Sequence, residues 1–311
     1  MGTSNDTELD IFFWTDSQGR KRVSYGKASN LSPYDVSYGI RDSRENSVRD
    51  NLNHRRDNLS TERRKLHSTI IKEVFKGHKP YTSGQTKVAM FTGGGPATGK
   101  STFTKNVEEY YQNDDNPVIL DADALKERLL YADTGKTQLD DETSTYYHSE
   151  SVILQKRLYE IAVQNDYPVL LDGTAVRYDK FMEKVQQAVD GGYTTKMRFM
   201  TADPNSLLDG SLDRYDKTGR IVPLNRILEA SEQAQTVIPQ LFNAIDDFRV
   251  YDRTGSKITL IAKGGKGKKI VKADDKLWDN MQEPNRYHLD SGAIAMYNNK
   301  AAAIKKKRKG S

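Results

Sequence analysis

Gly93-Gly94-Gly95-Pro96-Ala97-Thr98-Gly99-Lys100-Ser101-Thr102 follows the apolar run Val88 to Phe91, and from Gly94 it satisfies G-x-x-x-x-G-K-[ST]. Glycines at this spacing let the backbone turn its N–H groups inward around a chain of phosphates. The stretch therefore reads as a P-loop, with Gly94, Gly95, Pro96, Ala97, Thr98, Gly99, Lys100, Ser101 and Thr102 as the nucleotide-binding set. Lys100 is spaced to reach the β- and γ-phosphates and the Ser101 hydroxyl to hold Mg²⁺, so the cofactors implied are ATP or GTP with Mg²⁺. The motif needs a strand before it and a helix after it. Val88 to Phe91 supplies the first, and Phe103, Val107, Tyr110 and Tyr111 fall on one helical face to supply the second.

Outward from the loop, strands and helices alternate from Thr86 to Ala262. Val88 to Phe91, Val118 to Leu120, Val169 to Leu171, Met197 to Met200, Arg249 to Tyr251 and Ile258 to Ile261 read as strands. Val152 to Gln164, Lys180 to Val189 and Asn225 to Ile245 read as helices between them. This order predicts an α/β fold of the P-loop NTPase type, a doubly wound, mostly parallel sheet with helices on both faces. Ligands in such folds gather at the carboxyl ends of the strands. There the sequence places Asp121-Ala-Asp123, Asp172-Gly-Thr174 and Thr201-Ala-Asp203. Each also suits a helix cap or turn, but three strands ending alike point to a ligand edge.

Phosphoryl transfer needs a carboxylate that orients or deprotonates the acceptor and cations where transition-state charge spreads. Asp121 and Asp123 both qualify for the carboxylate, and Asp121 also suits an outer-sphere metal ligand. For the cations, Leu207 to Lys217 reads as a helix carrying Arg214, followed by Gly219-Arg220-Ile-Val-Pro223. Glycine and proline around two arginines predict an arginine-bearing lid.

The flanks differ from this centre. Of 311 residues 36% are hydrophobic, and much of the deficit lies at the two ends. The organisation expected is residues 1–65 as a hairpin and charged segment, 66–262 as the kinase domain, and 263–311 as a basic tail. Ile11 to Trp14 and Arg22 to Tyr25 predict the hairpin around Asp16 to Gly19, and Leu66, Ile70, Ile71, Val74 and Phe75 make an apolar helical stripe. Lys263 to Lys269 and Lys305 to Lys309 concentrate a net charge of +5 near the carboxyl end. Such runs suit a solvated tail, or nucleic acid by phosphate neutralisation. The chain has no cysteine, which excludes disulfides, thiolate metal sites and cysteine nucleophiles and suits a reducing cytoplasm. No apolar run reaches the roughly 20 residues of a membrane span, so membrane insertion is not expected.

The order of pieces resembles the zeta-toxin family of P-loop kinases over about residues 65 to 255. The resemblance rests on Thr92 to Thr102, Leu120-Asp-Ala-Asp-Ala-Leu-Lys126, His148-Ser-Glu-Ser151, Val169-Leu-Leu-Asp-Gly-Thr174, Asp213-Arg-Tyr215, Gly219-Arg-Ile-Val-Pro223 and Val250-Tyr-Asp-Arg-Thr-Gly255. Founding members of that family phosphorylate the 3′-hydroxyl of the amino sugar in UDP-N-acetylglucosamine. The resemblance implies Lys100, Asp123, Arg214 and Arg220 as the catalytic set, with Asp123 facing the acceptor. It implies Glu150, Asp172 and Thr174, beside Asp121, along a nucleotide-sugar acceptor site, and a toxin role with an inhibitory antitoxin-like partner. Two other readings stand beside it: a polynucleotide or nucleoside kinase, and an assembly protein that binds nucleotide as a structural element.

Overall fold

The computed structural model describes residues 10–15, 21–26, 61–104, 116–139, 141–222 and 224–309. Near the amino end, β1 (Asp10–Thr15) and β2 (Lys21–Gly26) pair antiparallel, with Phe12 opposite Ser24. That is the hairpin the sequence predicts, although its turn lies outside the described residues. Helix α1 (Thr61–Phe75) follows and buries Ile70 of the apolar stripe. Two compact units result, Met1–Lys76 with Asp121–Leu158, and Gly77–Leu120 with Tyr159–Ser311.

The second unit carries the sheet. β3 (Val88–Gly93), β4 (Val118–Leu120), β5 (Val169–Leu171), β6 (Thr194–Ala202), β7 (Asp247–Thr254), β8 (Lys257–Gly265) and β9 (Lys268–Lys272) lie in the order β4-β5-β3-β6-β7-β8-β9. β4 through β7 run parallel, while β8 and β9 add antiparallel. Every residue of β3 is buried, as the central strand of a covered parallel sheet requires. From β3 the chain passes through α2 (Lys100–Thr104) to β4 on one side, and later from β5 across to β6 on the other. The strand order thus reverses at β3, the switch point at which folds of this kind place their ligands beyond the strand ends. Of the predicted helix face, Phe103 falls within α2, and Val107, Tyr110 and Tyr111 lie outside what is described.

The first unit gathers α1 with α3 (Ala122–Thr134), α4 (Asp141–Tyr146) and the start of α5 (His148–Gln164). Gly135 ends α3 in a left-handed cap at φ 69°, its N–H donating to the Tyr131 carbonyl, an arrangement glycine adopts without strain.

In the second unit α6 (Tyr178–Asp190), α7 (Pro204–Thr218) and α8 (Leu224–Phe242) complete the core. Register puts Phe91, Met197 and Phe248 on one sheet face. Phe181 of α6 meets Phe91 edge-on at 5.3 Å, and Phe242 of α8 meets Phe248 at 4.5 Å. Val88, Met90 and Leu170 cluster on the other.

The carboxyl-terminal residues depart from the expectation of a solvated tail. The boundary drawn at residue 262 falls inside β8, and the run Lys263 to Lys269 is divided between two paired strands. The lysines of β9 stay in water while their backbone pairs, a common way to guard a sheet edge. α9 (Asp275–Gln282) seats Trp278 against Phe242, and α10 (Ser291–Lys309) lays Tyr297, Ala301 and Ile304 on Leu208 and Leu212 of α7. Arg308 donates to the Asp216 carbonyl at 2.6 Å and Lys307 pairs with the Asp216 carboxylate, so the basic run caps the carboxyl end of α7, where the helix dipole favours cations. No helix of the described residues is long and apolar enough to cross a membrane.

Candidate active site

The P-loop leaves β3 with backbone angles few residues tolerate. Gly94 sits at φ 121° and Gly99 at φ 98°, both in the left-handed region. A Cβ on Gly94 would lie 2.1 Å from the Met200 carbonyl oxygen, so the loop passes β6 at a distance only glycine permits. Ala97 takes φ 63° without being glycine, a local strain the surrounding bonds must hold. Thr98 Oγ1 donates to the Gly95 carbonyl at 2.9 Å. Lys100 Nζ donates to the carbonyls of Gly94 and Gly95 at 2.6 and 2.8 Å, which lays its charge across the mouth of the loop. Ser101 stands exposed in the first turn of α2. A backbone-lined cradle, a lysine across it and an exposed hydroxyl fit the phosphates and Mg²⁺ of a nucleotide.

The same strand fixes the next one. Thr92 Oγ1 donates to the Asp172 carboxylate and accepts from the Gly173 N–H at 3.3 Å. Gly94 N–H donates to the Thr174 carbonyl at 2.9 Å. Thr174 is therefore tied directly to the P-loop through Gly94, and Asp172 to the end of β3 through Thr92, a residue absent from the sequence-based set except as a motif flank.

The two arginines expected of a lid belong to α7 and its exit. Asp203 caps the helix, accepting from Ser206 N–H at 3.0 Å, and Gly219 ends it at φ 75°. Arg214 lies in the helix and Arg220 just past the cap, both half-buried. A further arginine, Arg253 on β7, donates to the Ala97 carbonyl at 2.7 Å. Its motif, Val250 to Gly255, was legible, but nothing in the spacing singled out the arginine.

In the first unit, Asp121 is the N-cap of α3 and its Oδ1 accepts from Asp123 N–H at 2.8 Å. Asp123 occupies the first turn, with Lys126 Nζ 3.0 Å from its carboxylate. Glu150 lies deeper than a ligand-facing group would. Arg63 Nε and Nη2 donate to its two oxygens at 2.6 and 2.8 Å, and His67 Nε2 stands 2.7 Å from Oε1. Arg63 also donates to Asp133 at 2.5 Å, and Tyr147 Oη donates to the other Asp133 oxygen at 2.9 Å. Burial alone would push the Glu150 carboxyl up, but the Arg63 guanidinium and the His67 bond outweigh it and hold the group at about 2. Burial pulls the other way on Arg63, and the Glu150 and Asp133 carboxylates still raise it above its ordinary value. Tyr146, Tyr147 and Tyr159 are buried side chains and belong to the core.

The zeta toxin family model matches residues 71–263, well over half of the chain. The chain belongs to the zeta toxin family. Among solved structures, a chain of the AvrRxo1-ORF1:-ORF2 complex superposes with a TM-score of 0.61 at 17% identity, covering 81% of this chain and 86% of that one. The complex with ATP gives 0.61 at 16% identity, covering 80% and 86%. A chain of the PezAT chromosomal toxin–antitoxin system of Streptococcus pneumoniae gives 0.51 at 14%, covering 80% and 97%. At these identities the likeness is one of fold. No curated protein sequence matches the chain.

Within this zeta toxin family member, the matched span contains the P-loop, both aspartates of the Asp121 motif, Glu150, Asp172, Thr174 and the lid arginines. It leaves out Arg63 and His67 at the front, and β9, α9 and α10 at the back. The partners of Glu150 and the brace on α7 thus come from outside the family span.

Proposed function

We propose that the chain is an ATP- and Mg²⁺-dependent kinase that transfers the γ-phosphoryl group to a hydroxyl of a nucleotide-sugar such as UDP-N-acetylglucosamine, at its 3′-hydroxyl. The observation that carries this reading is the P-loop with Lys100 laid across Gly94 and Gly95 and bonded to the Asp172–Thr174 segment. On this reading the residues Gly94 to Thr102 hold the phosphates, with Lys100 at the γ-phosphate. Ser101 would hold Mg²⁺, with Asp121 as an outer-sphere partner, and the ion would neutralise charge on the β- and γ-oxygens. Asp123 orients the acceptor hydroxyl and takes its proton as the new O–P bond forms and the β–γ bridging bond breaks, releasing ADP. Arg214 and Arg220 stabilise the spreading negative charge, a contribution on the order of 10³-fold or more where such arginines act. Asp172 and Thr174 contact the acceptor. The engagement of Glu150 by Arg63 and His67 favours a positioning part for that residue over direct contact.

The role fits a toxin held in check by an antitoxin-like protein in the cytoplasm, where ATP and nucleotide-sugars meet. Transfer of labelled γ-phosphate to a panel of nucleotide-sugars, nucleosides and short oligonucleotides, with Asp123→Ala beside the wild type, tests the reading. Asp123-dependent labelling of UDP-N-acetylglucosamine is expected. Labelling of oligonucleotides alone would transfer the assignment to a polynucleotide kinase, and no labelling despite ATP binding would overturn it.

A further inference from the structure

Arg253 joins two elements that phosphoryl transfer needs to hold together. It stands near the end of β7, paired in register with Ala202 of β6. One nitrogen, Nη2, donates both to the Ala97 carbonyl in the P-loop at 2.7 Å and to the Ser206 carbonyl in the first turn of α7 at 2.5 Å. Nη1 donates to the Gly255 carbonyl at 3.0 Å, while Nε is buried with no hydrogen-bond partner among the described residues. Ser206 Oγ in turn accepts from the Gly255 N–H at 2.7 Å, closing a ring of bonds around the start of α7.

Two glycines make room for this side chain. A Cβ on Gly99 of the P-loop would lie 3.1 Å from Arg253 Cδ, and one on Gly210 of α7 would lie 2.8 Å from Arg253 Nη2 and 3.2 Å from the Ala97 carbonyl. The carbonyl that Arg253 bonds belongs to Ala97, the one non-glycine of the loop held in the left-handed region. A planar fork with donors in fixed directions can satisfy carbonyls on three separate segments at once, which a lysine ammonium on a flexible stem does not.

We propose that Arg253 is a positioning residue that couples the P-loop to the lid helix, so that the phosphate cradle and the helix bearing Arg214 keep one common geometry. The proposal rests on the kinase reading for its effect on rate, but the coupling itself is a property of the two segments. Arg253 touches no reacting atom; it acts through Ala97 and Ser206.

Three variants test it: Arg253→Ala, Arg253→Lys and Gly210→Ala. The last keeps the arginine, favours the helix by its own propensity, and drives a methyl group into Nη2. Hydrogen exchange should rise together at residues 96–99 and 204–218 in Arg253→Ala and Gly210→Ala, with thermal unfolding of Gly210→Ala no lower than wild type. γ-Phosphate transfer should fall on the order of 10²-fold through kcat, the scale of a small misplacement of reacting groups, with a smaller change in the KM for ATP. Arg253→Lys should recover little of it. Exchange rising in only one segment, or full rescue by lysine, would overturn the proposal. A wild-type chain that transfers phosphate to nothing would sink the kinase reading while the exchange data still judge the coupling.

Discussion

Two carboxylates expected at one acceptor site, Asp172 and Glu150, sit in opposite kinds of surroundings. Asp172 follows a buried strand, takes one hydroxyl from Thr92, and stands on a segment bonded to the P-loop. Glu150 has both oxygens engaged by Arg63 and one of them also by His67, inside the other unit. A carboxylate that takes a neutral hydroxyl on a segment bonded to the P-loop is placed beside the nucleotide cradle. One already neutralised by a fork of charged donors serves the fold, because removing either partner strands a buried charge.

The sharpest way to break this comparison is Lys100→Ala. Loss of the charge across the P-loop should reduce γ-phosphate transfer by about 10³-fold or more, with thermal unfolding unchanged, measured by a transfer assay beside a melting curve. Arg63→Ala should do the reverse. It should destabilise the first unit by about 3–5 kcal/mol, the usual cost of leaving a buried ion without its partner, read from chemical unfolding monitored in that unit.

Acid should expose the same asymmetry. The folded Glu150 carboxyl is held at about 2, below its ordinary 4.5. A depressed carboxyl contributes stability that is fully present above the unfolded value and is lost as pH falls through the folded one. Unfolding followed from pH 6 down to pH 2 should therefore show a loss on the order of 3 kcal/mol below pH 4.5, largely absent in Glu150→Gln, which no longer titrates there. Thr92→Val should affect the other carboxylate more mildly. The variant removes the hydrogen bond to the Asp172 carboxylate, worth about 1.5–3 kcal/mol, and leaves the Gly173 N–H without that acceptor, expected as roughly a tenfold fall in transfer with the fold retained. The smallest effect belongs to Lys307→Ala with Arg308→Ala at the end of α7. These exposed contacts should be worth about 1 kcal/mol or less, and less still in high salt.

Much of the fold was legible because the parallel strands are continuous apolar runs and the P-loop is a dense local signal. Val118 to Leu120 and Val169 to Leu171 match β4 and β5 residue for residue, and the polar stretches follow β4 and β5 directly and overlap the last two residues of β6. The Glu150 network was not legible, since Arg63 and His67 look like surface charge in a polar segment. A signal was present: they stand seven and three residues before Ile70, on the continuation of its buried helical face. The carboxyl-terminal elements were hidden for a related reason. Trp278, Tyr287 and Tyr297 are buried anchors spaced widely among charged residues, so average hydropathy conceals them. Asp121 was read as a functional group and is also a helix cap, a double use that residue type alone cannot separate.

The most direct test of this account measures γ-phosphate transfer from ATP to UDP-N-acetylglucosamine and thermal unfolding together, on the wild type, Lys100→Ala and Arg63→Ala. The account predicts transfer by the wild type, transfer lost with an unchanged melt in Lys100→Ala, and a lowered melt in Arg63→Ala, whose folded fraction still transfers. An Arg63→Ala chain that melts like the wild type yet transfers nothing would contradict it, and would make the Glu150 network part of the chemistry.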